Sequence, residues 1–381
     1  MKRPHIYLIA GEPSGDRLGA RLIDALRRKT KGQFKISGIG GPEMGKQGLH
    51  SHFPMSELTV MGLVEVLPRL PKLLKRIRST VKHILADNPD VVVTIDSPDF
   101  SLRIIKHLQG KNIPLIHYVA PSVWAWKPGR AKKLANLVDH LLTLLPFEPP
   151  YFEREGLLSS FVGHSVIESG ADRGDGVAFR ERHNISPDSQ VLCLLPGSRL
   201  SEVKRLLPIL GEVVVRLNNS SLRLVLPTVD NVSDKVQQEI ASWRYKPTII
   251  SSDKEKFAAF AASDAAIAAS GTVSLELALA KVPYVTVYKV NPLTALISRR
   301  MIVTPFYNII NILLGREAVP ELIQENCKSN MIAPYILGYL ASDDATKAQI
   351  KSFKDAVAQL QNGHDNPSDK AASVVLDLIH S

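Results

Sequence analysis

Residues 6–16 read IYLIAGEPSGD, and RLGARLIDALRRKT follows directly. Five apolar residues run into a glycine. An acid, a proline and Ser-Gly-Asp come next, and then apolar positions recur at helical spacing. This is a buried strand passing through a glycine-flanked polar turn into an amphipathic helix. In open α/β sheets such turns lie outside the carboxyl ends of the strands, where ligands bind. If the unit repeats, the fold class is α/β.

It does repeat. Strands are expected over 6–10, 34–39, 91–95, 114–119, 140–145 and 159–162, with helices over 16–29, 69–87, 100–110, 129–137 and 147–155. Unalternating apolar strands separated by amphipathic helices indicate a parallel sheet covered on both faces. The polar, glycine-rich segment 165–190 breaks the rhythm and reads as a linker. A second array follows, with strands near 191–196, 222–227, 247–251, 265–269 and 283–288 and helices near 200–218, 231–242, 254–263 and 272–281. From 292 the chain becomes mostly helical, and 345–380 holds two helical stretches around the turn 362–369. The expected organisation is two doubly wound domains, 1–170 and 185–345, facing across a cleft. A helical tail, 346–381, is expected to follow.

Composition narrows the class. The chain has 381 residues, which suits two or three domains. Cys193 and Cys327 are its only cysteines, so there is no disulfide framework and no metal-ligand spacing, as in a reducing compartment. The apolar run 6–10 is too short for a signal peptide, and no run approaches the ~20 residues that span a bilayer. The expected location is cytoplasmic. A formal net charge of +10 points to nucleic acid, an anionic membrane surface or a phosphorylated substrate. No zinc-finger, RNP or KH pattern supports the first. In 68–85, Leu70, Leu73, Leu74, Ile77 and Val81 recur at helical spacing among lysines and arginines. That pattern fits a solvated basic face on a core-packed helix, or a face toward anionic head groups.

Polar residues collect after strand ends. In the first loop, Ser14 or Asp16 can cap the following helix, but capping does not account for Glu12. In VVVTIDSPDF, Asp99 suits a helix cap, whereas Asp96 comes straight off a buried strand and is placed for general-base work. Trp124 and Trp126 share a loop with basic residues, where core anchoring and substrate contact compete. In LLPGSR, a helix start beside Arg199 suits a phosphate. In AASGTVSLE, Ser270 can cap, Gly271 admits a ligand, Thr272 opens the helix, and Glu276 is a candidate for ribose hydroxyls. Asn311, Arg316, Glu317 and Gln324 surround a later turn. Phosphate-suited turns in the second array and strand-mouth carboxylates in the first suggest a nucleotide-sugar glycosyltransferase.

The motifs AGEPSGD, VMGLVEVL, IDSPDF, HYVAPSVWAW, LLPFE, FVGH, LLPGSR, ASGTVSLELAL and LLGRE occur in that order. Together they closely resemble the lipid-A-disaccharide synthases, over nearly the whole chain. The resemblance implies a GT-B fold of two Rossmann-like domains. It implies UDP-2,3-diacylglucosamine as donor and 2,3-diacylglucosamine 1-phosphate (lipid X) as acceptor. The acceptor 6-hydroxyl attacks the anomeric carbon with inversion, and the product is a β-1′,6-linked disaccharide in lipid A biosynthesis. No metal or cofactor is implied, nor any nucleic acid. A peripheral position on the cytoplasmic face of the inner membrane is implied, and domain-swapped dimers occur in the family.

Carried over by motif, Asp96 matches the family's catalytic aspartate and Glu12 the acid of its first loop. Arg199, Ser270, Gly271, Thr272, Glu276, Asn311, Arg316 and Glu317 match its nucleotide-sugar segments. The chain departs at Asn311, which follows two isoleucines where a proline is common. Without a metal, helix N-termini and Arg199 would stabilise the leaving diphosphate. Domain closure would hinge at 165–190. Val60, Met61, Leu63, Val64 and Val66, next to the basic face 69–83, are expected to dip into the membrane and admit acyl chains, with core packing as the competing role. A UDP-N-acetylglucosamine epimerase or a transferase of soluble substrates is the nearest rival. The apolar-basic surface speaks against it, as the strand-mouth carboxylates speak against a nucleic-acid binder.

Overall fold

The computed structural model describes residues 3–58 and 63–380, without the side chains of 63–70, 99, 253, 293, 297–300 and 380. It divides into two compact units, Met1–Ser165 with Leu360–Ser381, and Val166–Gln359.

The first unit carries six parallel strands: β1 (His5–Ala10), β2 (Lys35–Ile39), β3 (Val91–Ile95), β4 (Leu115–Tyr118), β5 (His140–Thr143) and β6 (Leu158–Phe161). Their spatial order is β2-β1-β3-β4-β5-β6. The chain winds from β1 to β2 on one side and then crosses to β3 on the other. The β1/β3 boundary is therefore the topological switch point, where two adjacent loops diverge and leave a crevice. Alternate residues of each strand feed separate cores. Ile6, Leu8, Val91, Val93 and Ile95 pack on one face. Tyr7, Ile9, Val92 and Leu115 pack on the other. Both faces are apolar because helices cover both.

The second unit repeats the design with β7 (Val191–Leu195), β8 (Arg223–Pro227), β9 (Thr248–Ile250), β10 (Ala265–Ala269), β11 (Tyr284–Tyr288) and β12 (Glu321–Ile323), ordered β12-β11-β10-β7-β8-β9. Its switch point is the β7/β10 boundary. Strand β12, in the stretch expected to be helical, pairs with β11 through Thr286 and Glu321.

Three boundaries differ from the sequence reading. The segment read as a linker contains a helix, Gly176–Arg182, capped by Asp175 through Ala178 N–H at 2.9 Å, and Phe179 on it is fully buried. It therefore packs within the second unit. The basic helix runs Leu63–Asp87, longer than the expected 69–87, with Pro68 and Pro71 inside its first three turns. The two C-terminal helices part company. Asp344–Gln359 packs in the second unit, where Phe353 stacks on Tyr284 at 5.5 Å. Pro367–His380 packs on Pro13–Lys29 in the first unit, and Arg28 donates to Asp369 at 2.7 Å.

Candidate active site

The first unit brings Gly11–Asp16 and Asp96 together at its switch point. Strand β3 ends at Ile95, and Asp96 and Ser97 both adopt left-handed backbone, at φ 55° and 47°. That conformation is costly for residues with a Cβ and concentrates at functional sites. The turn aims the Asp96 carboxylate at the β1 loop. Its Oδ2 accepts from Ser14 Oγ at 2.7 Å and its Oδ1 from Ser97 N–H at 2.8 Å. Two donors fix the carboxylate and leave lone pairs for a third hydrogen.

Glycines permit the close approach. A Cβ on Gly11 would stand 2.6 Å from Ser97 Oγ, and one on Gly15 would stand 3.0 Å from the Ile95 carbonyl oxygen. The loops of β1 and β3 can touch because these positions have no side chain.

Neither Ser14 nor Asp16 caps the helix they open. Asp16 is buried and accepts from Gly41 N–H at 2.8 Å, Glu43 N–H at 2.9 Å and Met44 N–H at 3.0 Å. It caps the short helix Pro42–Lys46 instead, clamping β2's following loop onto the site. Glu12 occupies the N-cap position of Pro13–Lys29, is exposed, and does not cap with its side chain. The capping role expected for Asp99 falls on a side chain outside the described residues.

Behind Asp96, His117 on β4 is fully buried and hydrogen-bonded to Thr94 Oγ1 at 2.8 Å. Burial pushes its imidazole down to about 4, against the opposing pull of the Asp96 charge. It is neutral near pH 7.

After β4 the two tryptophans take different roles. Trp124 donates its indole N–H to Glu148 at 3.2 Å and meets Phe147 edge-on. Glu148 is buried and also accepts from Leu144 and Leu145 N–H at 3.1 and 3.0 Å. Burial outweighs these donors and raises its carboxyl to about 7. This anchoring explains the LLPFE motif. Trp126 is instead exposed, with Lys127 Nζ 4.7 Å and the Arg130 guanidinium 5.1 Å from its ring centre.

On the helix Leu63–Asp87, Ile77 and Ile84 are buried, while Lys72, Leu74, Lys75, Arg78 and Lys82 are exposed. Glu57 draws in Arg76 through two bonds of 2.7 and 3.0 Å and Lys72 at 3.4 Å. Val60 and Met61 lie outside the described residues, as do the side chains of Leu63, Val64 and Val66.

In the second unit, the loops after β7 and β10 flank the other switch point. Gly197, at φ 102°, opens the helix Leu200–Leu217. Glu202 folds back there: its Oε2 accepts from Ser198 and Arg199 N–H at 3.2 and 3.3 Å, and its Oε1 pairs with Arg199 at 2.8 Å. Its own carboxylate thus engages the amides expected to suit a phosphate. The Arg199 side chain remains two-thirds exposed, at 65%. After β10, Ser270 Oγ donates to the Tyr307 carbonyl at 3.2 Å. Gly271 and Thr272 are exposed, and nothing lies within 4 Å of the place a Gly271 Cβ would take. Glu276 is not a solvated helix charge. Lys256 Nζ reaches both its oxygens at 3.0 and 3.1 Å.

Asn311 is fully buried and its amide is fully used. It donates to Val319 O and Glu321 Oε1 and accepts from Ala318 and Val319 N–H, each at 2.8 Å. It builds the 315–319 turn, and each polar position of its side-chain amide is engaged there. Glu321 completes the turn by accepting from Tyr307 and Asn308 N–H, both at 2.9 Å. Arg316 donates to Ser352 at 3.1 Å, and Arg316 and Glu317 are both exposed on the turn. Sequence reasoning missed Glu202, Lys256, Asn308 and Glu321. Of these only Glu202 carried a signal, an acid three residues after the N-cap position.

Comparison with known proteins adds an independent line. A family model described as lipid-A-disaccharide synthetase matches residues 6–375. The chain is 50% identical to the lipid-A-disaccharide synthase of Rhodospirillum centenum, covering 100% of this chain and 96% of that protein. It is 48% identical to that of Paramagnetospirillum magneticum, covering 98% and 97%. Among solved structures, a Staphylococcus aureus MnaA–UDP complex superposes with TM-score 0.66 at 15% identity, covering 99% of this chain and 96% of that one. Acinetobacter baumannii MurG superposes with TM-score 0.56 at 15% identity, covering 99% of each. At such identities the structural likeness speaks for the fold alone.

Proposed function

The chain belongs to the lipid-A-disaccharide synthetase family, and from that premise we propose how its two units divide the glycosyl transfer. The first unit receives the acyl-sugar acceptor and supplies the base. The second holds the UDP-sugar donor. The observation that carries this reading is the Asp96 carboxylate, aimed by Ser14 and Ser97 N–H at the β1/β3 switch point.

Asp96 takes the proton of the acceptor 6-hydroxyl as that oxygen bonds to the donor's anomeric carbon. The bond from that carbon to the diphosphate oxygen breaks, and its electron pair leaves with UDP. Attack from the face opposite the diphosphate inverts the centre and gives the β-1′,6 linkage. A placed base of this kind contributes about 10²–10⁴-fold. Glu12, exposed at the N-cap position of Pro13–Lys29, orients the acceptor.

On the donor side, Arg199 stabilises charge on the leaving diphosphate, and the open turn Ser270–Thr272 admits it. Glu276, held by Lys256, accepts from ribose hydroxyls. Arg316 and Glu317 complete the sugar side, on a turn that Asn311 and Glu321 brace.

No helix among the described residues is long and apolar enough to cross a membrane. Acylated substrates still require a membrane surface. The exposed Leu74 among Lys72, Lys75, Arg78 and Lys82 supports an interfacial face on Leu63–Asp87. The reading is tested by supplying the wild-type protein with UDP-2,3-diacylglucosamine and lipid X in detergent micelles. UDP and a disaccharide 1-phosphate, identified by mass spectrometry, support it. Equal UDP release with unacylated sugars overturns the acyl-sugar assignment. Vesicle binding unchanged by Met61→Ser with Leu63→Ser overturns the membrane role.

A further inference from the structure

We propose that Lys127 and Arg130, gathered on the ring of Trp126 after β4, form a subsite for a phosphomonoester carried by the acceptor. The proposal rests on the reading of the first unit as the acceptor side.

Position is the first argument. Strand β4 lies beside β3, and Asp96 N–H donates to the Tyr118 carbonyl at 2.9 Å. The loop 119–130 therefore leaves the sheet at the same edge as the candidate base.

The loop is also built rather than incidental. Val119 has φ 86°, and Lys127 has φ 52°. A β-branched residue with positive φ is a true outlier, and such strain persists only where the surroundings enforce it. The surroundings here are visible. Trp124 is tied to buried Glu148, which is itself tied to Leu144 and Leu145 N–H. The left-handed turn at Lys127 then lets its ammonium and the Arg130 guanidinium share one aromatic ring. Cation–π contact orients both groups without neutralising either.

Charge is the third argument. Arg199, Arg76 and Lys256 each have an internal carboxylate: Glu202, Glu57 and Glu276. Among the described residues neither Lys127 nor Arg130 makes an ion pair, and the nearby Glu148 is spent on Trp124 and two amides. Two oriented cations without a counter-charge suit a dianion. The planar guanidinium matches two phosphate oxygens, and the ammonium serves as a point charge.

A phosphate group has two possible sources, the monoester of the acceptor sugar or the diester head group of an anionic lipid, and the test separates them. Wild type and K127A/R130A are assayed in neutral detergent micelles with 2,3-diacylglucosamine 1-phosphate and with the same sugar lacking phosphate. The expected result is a kcat/KM loss of about 30–100-fold for the phosphorylated acceptor, carried by KM, and under about threefold for the other. K127R/R130K should recover most of the loss. Equal losses on both acceptors make the loop merely structural and overturn the proposal. So does a loss confined to binding of phosphatidylglycerol vesicles, which assigns the cations to head groups. Unchanged thermal unfolding and unchanged UDP affinity show that the variant is folded. Direct titration of both acceptors into the same proteins reads the subsite even without turnover. Phosphate-dependent binding lost in the variant supports it, and equal binding overturns it. Failure of the wild type to turn over either acceptor counts against the glycosyl-transfer reading instead.

Discussion

The Ser14 hydroxyl donates to Asp96 Oδ2 at 2.7 Å, joining the loop after β1 to the loop after β3. The two residues lie 82 positions apart. Their contact exists because β1 and β3 are neighbours in the sheet while β2 lies on the far side. A carboxylate held from both sides of a switch point, if it is the proposed base, loses little orientation entropy when the acceptor arrives. Ser14→Ala should therefore lower kcat by about tenfold. Because the bond is exposed, stability should change by less than about 0.5 kcal/mol. Paired kinetic and urea-unfolding measurements check this, and a large stability loss with normal kcat would contradict it.

The glycine at the same junction gives a steric prediction. Gly11→Ala puts a Cβ 2.6 Å from Ser97 Oγ and 2.9 Å from Ser97 Cβ. Overpacking of this kind costs about 1–3 kcal/mol. Adding Ser97→Gly removes both clashing atoms and suits the left-handed backbone at φ 47°. The double variant should regain most of the lost stability in denaturant titrations. No recovery would mean that the clash is not with Ser97.

In the second unit, on the proposed donor side, Glu276 and Lys256 form one ion pair, with side chains 16% and 21% exposed. Glu276→Gln and Lys256→Met should each weaken UDP binding by about tenfold. The double variant should fall well short of the product, with a coupling of about 0.5–2 kcal/mol. Calorimetric titration with UDP measures all four corners of the cycle. Strict additivity would dissolve the pair.

Buried titratable groups fix a pH dependence. Glu148 is raised by burial from 4.5 to about 7 in the folded protein. Its contribution is fully present below pH 4.5 and is lost as pH rises through 7. His117 and His164 are lowered by burial from 6.5 to about 4. Their contributions are present above 6.5 and are lost as pH falls through 4. Near pH 5.5 unfolding thus takes up about two protons at the histidines and releases about one at Glu148. Glu148→Gln should raise net proton uptake by about one, and His117→Gln should lower it by about one. Unfolding calorimetry in buffers of different ionisation enthalpy reads these numbers directly. Uptake unaltered in both variants would contradict the assigned burial.

Much of this was legible in the chain, and what was not has a physical pattern. Long apolar strands such as 6–10, 91–95 and 265–269 declare themselves, because a parallel sheet covered on both faces needs no alternation. The three-residue strand β12 does not, since its pairing with β11 is a tertiary fact and its composition is neutral. The motif loops marked both switch points, but not what each polar group does there. Asp16 reads as a local cap and instead holds the helix at 42–46. Asn311 reads as a ligand contact and is consumed by its own turn. Lys256 is invisible as a site residue because its partner sits 20 residues on, across a βα connection. Sequence shows which residue types reach a strand end. Register and packing decide which of them remain available.

The most direct test of Asp96 as the proposed base uses Asp96→Asn, which keeps the shape of the side chain and removes its basicity. Wild type and variant are compared in single turnovers with UDP-2,3-diacylglucosamine and lipid X, alongside UDP affinity and thermal unfolding. The expected result is a loss of about 10²–10⁴ in the rate of disaccharide formation, with UDP affinity and stability nearly unchanged. A folded variant that forms disaccharide within about threefold of the wild-type rate would contradict Asp96 as the base.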